Sequence, residues 1–163
     1  MSDIDELSAR LGESCRRAGL LVATAESCTG GGVGEAITRT AGSSVWYDRG
    51  FVTYSNEAKV DLLGVRQETI GSHGAVSEAV AREMALGALH QSVADLAVAV
   101  TGVAGPDGGT AAKPVGLVWF AWASLDGEVR AKFEVFGGDR AAVRAQAVLE
   151  ALKGLVELAS REG

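Results

Sequence analysis

Cysteine is scarce in this chain, which has only two among its 163 residues. Cys15 and Cys28 form no CxxC pair and have no histidine cluster nearby, so the sequence carries neither a zinc signature nor a disulfide framework. Free thiols are typical of proteins in a reducing compartment. Residues 1–6 are acidic, which argues against a secretory signal. We therefore expect a cytoplasmic protein with two free cysteines.

Long apolar runs and an excess of positive charge are also missing. No apolar stretch approaches the roughly 20 residues that a membrane-spanning helix needs, so we expect no membrane insertion. The formal net charge of −6 argues against a general nucleic-acid binder, because phosphate contacts need a basic surface. Hydrophobic residues make up 47% of the chain. This length and balance predict one globular domain over residues 1–163.

The order of the predicted elements indicates an α/β fold. Helical spacing predicts five helices, over residues 5–17, 31–40, 57–63, 77–90 and 139–161. Apolar and β-branched runs predict five strands, over residues 20–25, 44–53, 95–101, 115–124 and 129–136. Asn56 and Ser77 are candidate N-caps of the third and fourth helices. Helices alternate with strands early and a hairpin around Asp126-Gly127 follows late, which predicts an α/β sandwich with a mixed sheet.

The turn after the first predicted strand is the strongest candidate for a catalytic centre. Residues 24–32, with the sequence TAESCTGGG, lie between an apolar strand and a helix-like run. A strand, a tight turn and a helix can present a side-chain oxygen at the edge of a sheet and direct backbone N–H groups toward an oxyanion. Ser27 is therefore the candidate nucleophile. Cys28 is its rival in the same turn, although a small buried cysteine is equally typical there.

Two glycine-rich segments invite a nucleotide-binding interpretation and match it poorly. After Gly30 and Gly32, Glu35 stands where a dinucleotide-binding GxGxxG motif needs a third small residue. The loop 102–114 lacks the GK[ST] ending of a P-loop, because Lys113 is displaced and followed by proline. The sequence therefore disfavours nucleoside triphosphate binding.

A serine nucleophile needs a base, and histidine is as scarce as cysteine. His90 ends a predicted helix, where a solvent-exposed histidine is typical, and His73 lies in a predicted turn. Ser27 is also outside a GxSxG context. A Ser-His-Asp arrangement therefore has little support.

Lysine is the other candidate base, and Lys59 stands out among the four lysines. It follows Tyr54 closely, at the end of the second predicted strand. If the first two strands run parallel, both residues lie near Ser27, because the carboxyl ends of parallel strands meet at one edge of the sheet. The same spacing is also typical of a solvent-exposed helix lysine and a strand-end aromatic residue. From the spacing alone, the solvent-exposed lysine is the favoured interpretation, and the role of Tyr54 stays open.

Four segments of the chain resemble the CinA C-terminal domain family, which comprises competence/damage-inducible proteins and stand-alone nicotinamide-nucleotide amidohydrolases. They are TAESCTGG, VTYSNEAKVDLLGV, HGAVSEAVAREMA and VTGVAGPDGGT with KPVG after it, in the family's order. The resemblance implies a three-layer α/β/α sandwich with a mixed, about five-stranded sheet, commonly assembled as a dimer. It also implies hydrolysis of the carboxamide of nicotinamide mononucleotide to nicotinate mononucleotide and ammonia, with no metal or other cofactor.

The family motifs imply roles for particular residues of this chain. Ser27 matches the nucleophile, and Lys59 and Tyr54 match the partners that activate it. The residues implied in substrate or oxyanion binding lie in the serine turn, the glycine-rich loop and the last helix: Cys28, Thr29, Gly30, Gly31, Thr101, Gly102, Gly105, Arg140 and Arg144. Among them, Arg140 is the candidate for the substrate phosphate, and Arg144 is a second candidate one turn later.

Two other kinds of function remain compatible with the sequence. The same glycine-rich turns could bind a nucleotide phosphate without catalysing a reaction. The family name also suggests a regulatory or interaction role in DNA uptake and the damage response, although the sequence shows no basic patch for it.

Overall fold

The computed structural model describes residues 2–162, which form six α-helices and five strands. Their bounds are α1 Asp3–Ala18, β1 Val22–Glu26, α2 Gly32–Thr38, β2 Tyr47–Val52, α3 Asn56–Leu63, α4 Gln67–His73, α5 Glu78–His90, β3 Leu96–Gly102, β4 Leu117–Ser124, β5 Val129–Val135 and α6 Arg140–Glu162. A short 3-10 helix at Ser43–Val45 precedes β2. No helix within this part of the chain is both long and apolar enough to cross a bilayer.

The five strands form one mixed sheet in the order β2-β1-β3-β4-β5. β1 pairs in parallel with β2 and with β3, whereas β4 pairs antiparallel with β3 and with β5. The parallel pairing of the first two strands, on which the proximity of Lys59 and Tyr54 to Ser27 was conditional, is therefore present. Because the three parallel strands point the same way, their carboxyl ends meet at one edge, at Glu26, Val52 and Gly102.

Helices cover both faces of this sheet, so the expected three-layer α/β/α sandwich is confirmed. One apolar core lies between the sheet and α1, α2 and α6, and a second lies between the sheet and α3, α4 and α5. β1 is buried at every position, as an apolar strand between two helical layers must be. The central strands therefore hold their carboxyl ends rigidly.

Several predicted boundaries differ from the structure. The second strand begins at Tyr47, because residues 43–45 form the 3-10 helix. α4 was not predicted from the sequence, since Thr69 is its only buried residue and so short a helix has almost no apolar periodicity. His73 consequently ends a helix instead of lying in a turn.

The predicted N-cap of α3 is wrong by one residue. Ser55 has extended backbone angles, and its hydroxyl accepts a hydrogen bond from the Ala58 N–H at 3.0 Å. Asn56 is the first residue inside the helix, so its side chain is not used as the cap. The predicted cap of α5 is confirmed, because the Ser77 hydroxyl accepts from the Val80 N–H.

Gly154 is required by the packing of α6 on the sheet. The Trp122 indole N–H donates to the Ala151 carbonyl at 3.0 Å, which lays the ring across the helix at Gly154. A methyl group at Gly154 would overlap that ring. We expect Gly154→Ala to lower the free energy of unfolding by about 1–3 kcal/mol, as overpacking does. Gly71 lies in α4 with open space around it, so Gly71→Ala should be neutral or stabilising. Urea unfolding of both variants measures the contrast, and an equal effect of the two would contradict this packing argument.

Candidate active site

A tight turn presents Ser27 at the carboxyl edge of the sheet. The Ser27 N–H donates to the Val100 carbonyl at 2.9 Å, which ties the turn to β3. The Ser27 carbonyl accepts from the Gly30 N–H at 3.0 Å. Gly30 and Gly31 have φ values of 58° and 102°, a left-handed conformation that glycine adopts far more readily than other residues. The turn is therefore fixed by its backbone at both ends.

Glu26, which was not predicted as a site residue, holds the same turn from inside. Its carboxylate is buried and accepts from the Thr29 hydroxyl at 2.5 Å, the Val33 N–H at 2.9 Å and the Gly34 N–H at 3.0 Å. The N-terminus of α2 is therefore already occupied by a carboxylate, and the Thr29 side chain is directed to Glu26. A single acidic residue at the end of an apolar strand, just before a helix, is the signal that could have indicated this role.

Lys59 is buried beside Ser27 and is not a solvent-exposed helix lysine. Only 1% of its surface is accessible, and its Nζ lies 3.0 Å from Ser27 Oγ. Nζ also donates to the carbonyl oxygens of Thr53 at 2.8 Å and Tyr54 at 3.3 Å. Burial lowers the pKa of Lys59 below its ordinary value, because the charged form is poorly solvated there. The structure thus brings Ser27 into contact with an amine that loses its proton more readily than an ordinary lysine.

Cys28 lies next to Ser27 in the turn and is almost completely buried. Burial raises the pKa of its thiol to about 11. The thiol is therefore protonated at neutral pH, and a protonated thiol is a poor nucleophile. This environment favours Ser27 over Cys28 as the attacking group.

Ser27 and Lys59 open into a cavity of about 240 Å³. Its walls come from the serine turn, the segment after β2, α3, the loop before α5, the end of β3 with the loop after it, and the start of α6. The lining residues are Ser27, Cys28, Tyr54, Asn56, Lys59, Ala75, Val76, Thr101, Gly102, Ala104 and Arg140. The Thr101 hydroxyl donates to the Ala75 carbonyl at 2.9 Å. Gly102 has no room for a side chain, because a Cβ there would crowd Val118 and the Leu117 carbonyl.

Arg140 lies at the rim of this cavity. Its guanidinium donates to the Gly105 carbonyl at 2.8 Å and to the Tyr54 hydroxyl at 3.1 Å. The Tyr54 hydroxyl therefore contacts Arg140, whereas it is the Tyr54 carbonyl that contacts Lys59. Within residues 2–162, this hydroxyl makes no hydrogen bond to Ser27 or Lys59.

The remaining sequence candidates lie outside the cavity walls. Arg144 donates to the Cys28 carbonyl at 3.1 Å and to the Thr29 carbonyl at 3.2 Å, so it supports the turn from behind. His73 and His90 are exposed, and neither lines the cavity. In the part of the chain that the structure describes, no group of three or more His, Cys, Asp or Glu side chains is arranged to hold a metal ion.

Comparisons with known proteins agree with this fold. The family model of the CinA C-terminal domain matches residues 4–159. The chain is 56% identical over 154 residues to the nicotinamide-nucleotide amidohydrolase PncC of Escherichia coli K12, covering 94% of this chain and 93% of that protein. It is 55% identical to the protein of the same name from Pseudomonas putida, covering 97% and 98% of the two chains. The crystal structure of the competence/damage inducible protein CihA from Agrobacterium tumefaciens superposes with a TM-score of 0.95 at 50% identity, covering 97% and 96%. This chain therefore belongs to the CinA C-terminal domain family.

Proposed function

We propose that the chain hydrolyses the carboxamide of nicotinamide mononucleotide to nicotinate mononucleotide and ammonia. The observation that carries this proposal is the buried contact of 3.0 Å between Lys59 Nζ and Ser27 Oγ at the wall of a cavity. Simple binding of a nucleotide gives no reason to bury an amine against a serine hydroxyl, whereas acyl transfer does. The relatives named nicotinamide-nucleotide amidohydrolase supply the substrate class.

The contacts of Lys59 suit a neutral amine that acts as the base. A neutral amine has two N–H groups, which the carbonyls of Thr53 and Tyr54 accept. Once the third N–H, which donates to Ser27 Oγ at 3.0 Å, is lost, the lone pair in its place can take the hydroxyl proton of Ser27. We infer that Lys59 is the direct base. A proton relay through the Tyr54 hydroxyl stays a prediction. In the structure that hydroxyl contacts Arg140, and it contacts neither Ser27 nor Lys59 among residues 2–162.

The reaction then proceeds in two halves. Ser27 Oγ attacks the carboxamide carbon while its proton passes to Lys59 Nζ. The tetrahedral intermediate collapses as Lys59 returns that proton to the leaving nitrogen, which departs as ammonia and leaves an ester on Ser27. Water then attacks the ester with Lys59 again as base. Nicotinate mononucleotide leaves, and the Ser27 hydroxyl is restored.

The oxyanion needs donors that are not already used within the turn. The N–H groups of Ser27 and Gly30 donate to carbonyl oxygens, and those of Val33 and Gly34 donate to Glu26. Among residues 2–162, the Cys28 N–H donates to no other residue and contacts only its own thiol, and Cys28 lines the cavity. We therefore assign the Cys28 N–H as the first oxyanion donor.

Arg140 is the proposed partner of the substrate phosphate. It lies at the rim of the cavity, and its guanidinium can bind a phosphate in a bidentate manner. Arg140→Ala should raise the KM for nicotinamide mononucleotide roughly 10–100-fold, the range expected for losing a charged hydrogen bond. It should barely change the KM for nicotinamide riboside, which has no phosphate.

Arg144→Ala is the matched control for this prediction. Because Arg144 holds the backbone of the serine turn, its loss should affect both substrates alike. Steady-state kinetics with both substrates separate the two arginines. Equal effects of Arg140→Ala on the mononucleotide and the riboside would remove Arg140 from the phosphate site.

Ammonia release tests the proposed substrate. We expect release from nicotinamide mononucleotide to exceed release from nicotinamide riboside and from nicotinamide by a wide margin. If the mononucleotide binds and no ammonia appears, the chain is a non-catalytic nucleotide-binding protein. A binding partner from the DNA uptake or damage response that is retained by Ser27→Ala protein would instead support the regulatory alternative.

Two further properties belong to this proposal. We propose that the chain works in the cytoplasm in the salvage of pyridine nucleotides and assembles as a dimer. Both cysteines are buried free thiols, which suits a reducing compartment. Light scattering of the purified protein measures the mass of the assembly.

A further inference from the structure

Asn56 lines the cavity, and its side chain caps no helix. It is the first residue of α3, and the N-cap contact is made by Ser55 instead. Asn56 is exposed to solvent, and within residues 2–162 its carboxamide has no hydrogen-bond partner in the protein. Asn56 nevertheless stands in the cavity wall together with Ser27 and Lys59.

The other polar side chains of that wall already have partners. Ser27 and Lys59 contact each other, the Thr101 hydroxyl donates to a backbone carbonyl, and Tyr54 and Arg140 form a pair. Among the described residues of the wall, Asn56 is therefore the one hydroxyl, amide or charged side chain without a partner in the protein. A side chain in this position can bind a ligand without first breaking an internal contact.

The position of Asn56 directs it to the reacting end of a substrate. Asn56 and Lys59 are three residues apart in α3, so their side chains lie on the same side of the helix. Lys59 Nζ is 3.0 Å from Ser27 Oγ, the atom that must approach the carboxamide carbon. Asn56 thus flanks the place where the carboxamide of the substrate must lie.

We propose that Asn56 is a specificity residue, whose Oδ1 accepts a hydrogen bond from the NH₂ group of the substrate carboxamide. This inference rests on the proposed function. The carboxylate of the product has only acceptor oxygens, so it cannot donate to Oδ1, and this side chain can bind it only if the Asn56 carboxamide rotates to present Nδ2. A site that accepts from a substrate N–H discriminates strongly against an analogue without one. With Oδ1 presented to the substrate, Asn56 favours binding of the amide and release of the acid.

Binding measurements without turnover test this role. Ser27→Ala removes the nucleophile, so calorimetry can compare the Kd of nicotinamide mononucleotide with that of nicotinate mononucleotide. Adding Asn56→Leu keeps the approximate shape and removes both polar atoms. We expect it to weaken binding of the amide about tenfold and to leave binding of the acid unchanged or tighter.

Two companion variants make the result specific. Asn56→Asp retains an acceptor oxygen, so it should keep amide binding within a few-fold and weaken binding of the acid through charge repulsion. Gln67→Leu removes an amide from the first residue of α4, outside the cavity wall, and should change neither Kd. The aspartate variant also provides a result if Asn56→Leu does not fold.

The outcome separates this inference from the proposed function. Ammonia release from nicotinamide mononucleotide by the protein with Ser27 and Asn56 intact would support the proposed function. If the ratio of the amide and acid affinities is then the same with and without Asn56→Leu, the specificity role is overturned while the function stands. Equal weakening of both ligands would also overturn it. If the intact protein neither binds the mononucleotide nor releases ammonia from it, both proposals fail together.

Discussion

Replacing Ser27 by alanine should reduce kcat/KM for nicotinamide mononucleotide by at least about 10⁴-fold, the scale of losing a catalytic nucleophile. The physical reason is that no other side chain in the cavity wall combines a hydroxyl with an adjacent buried amine. The fold should be unaffected, because it is the Ser27 backbone that anchors the turn to β3. Ammonia release, with circular dichroism of the same samples, measures both points.

Cys28→Ala is the matched control for Ser27→Ala. Its thiol has a pKa raised to about 11 by burial, so it is protonated at neutral pH. We expect this variant to retain activity within about tenfold of the original protein, since only packing is changed. If Cys28→Ala abolishes turnover and Ser27→Ala does not, the thiol is the nucleophile and the proposed mechanism is wrong.

Lys59→Met and Lys59→Arg should each lower kcat by about 10²–10⁴-fold, the usual contribution of a general base. Methionine keeps a long apolar side chain in the buried slot and cannot accept a proton. Arginine keeps a positive charge, but its guanidinium stays protonated at every accessible pH. Lys153→Met is the matched control, because Lys153 lies exposed on α6, outside the Ser27 cavity, and should leave kcat unchanged.

The pH dependence of the intact protein should report the same group. Only neutral Lys59 can take the Ser27 proton, so kcat/KM should fall as the pH drops through the Lys59 pKa. Burial places this pKa below the ordinary lysine value of about 10.4. The acid limb should vanish from the residual activity of Lys59→Met. Near-original turnover in Lys59→Arg with an unchanged acid limb would reject Lys59 as the base.

Much of the fold could be predicted from the sequence because local patterns determine it. The continuous apolar runs of β1 and β3 indicated strands buried on both faces, and the Asp126-Gly127 turn indicated the hairpin of β4 and β5. The parallel pairing of β1 and β2 then led to the expectation that Lys59 lies near Ser27. α4 has no such pattern, and it was missed for that reason.

The parts of the site that escaped prediction depend on packing between distant segments. Glu26 looks like an ordinary charged strand end until α2 places two N–H groups on its carboxylate. The burial of Lys59 follows from how α3 leaves β2, which sequence spacing cannot distinguish from a solvent-exposed orientation. Asn56 was assigned to the helix cap. Ser55, one residue earlier, is an equally good capping residue, so residue type alone could not decide between the two positions. In each case the residue type was visible and its surroundings in the fold were not.

Serine-dependent hydrolysis of the carboxamide is tested most directly by measuring both products of the reaction. Purified protein and the Ser27→Ala variant, prepared in parallel, are incubated with nicotinamide mononucleotide, and ammonia and nicotinate mononucleotide are quantified over time. We predict that the protein with Ser27 forms the two products in equal amounts and that the variant forms neither above background. Equal turnover by the two proteins, or no nicotinate mononucleotide from the protein with Ser27, would contradict this mechanism.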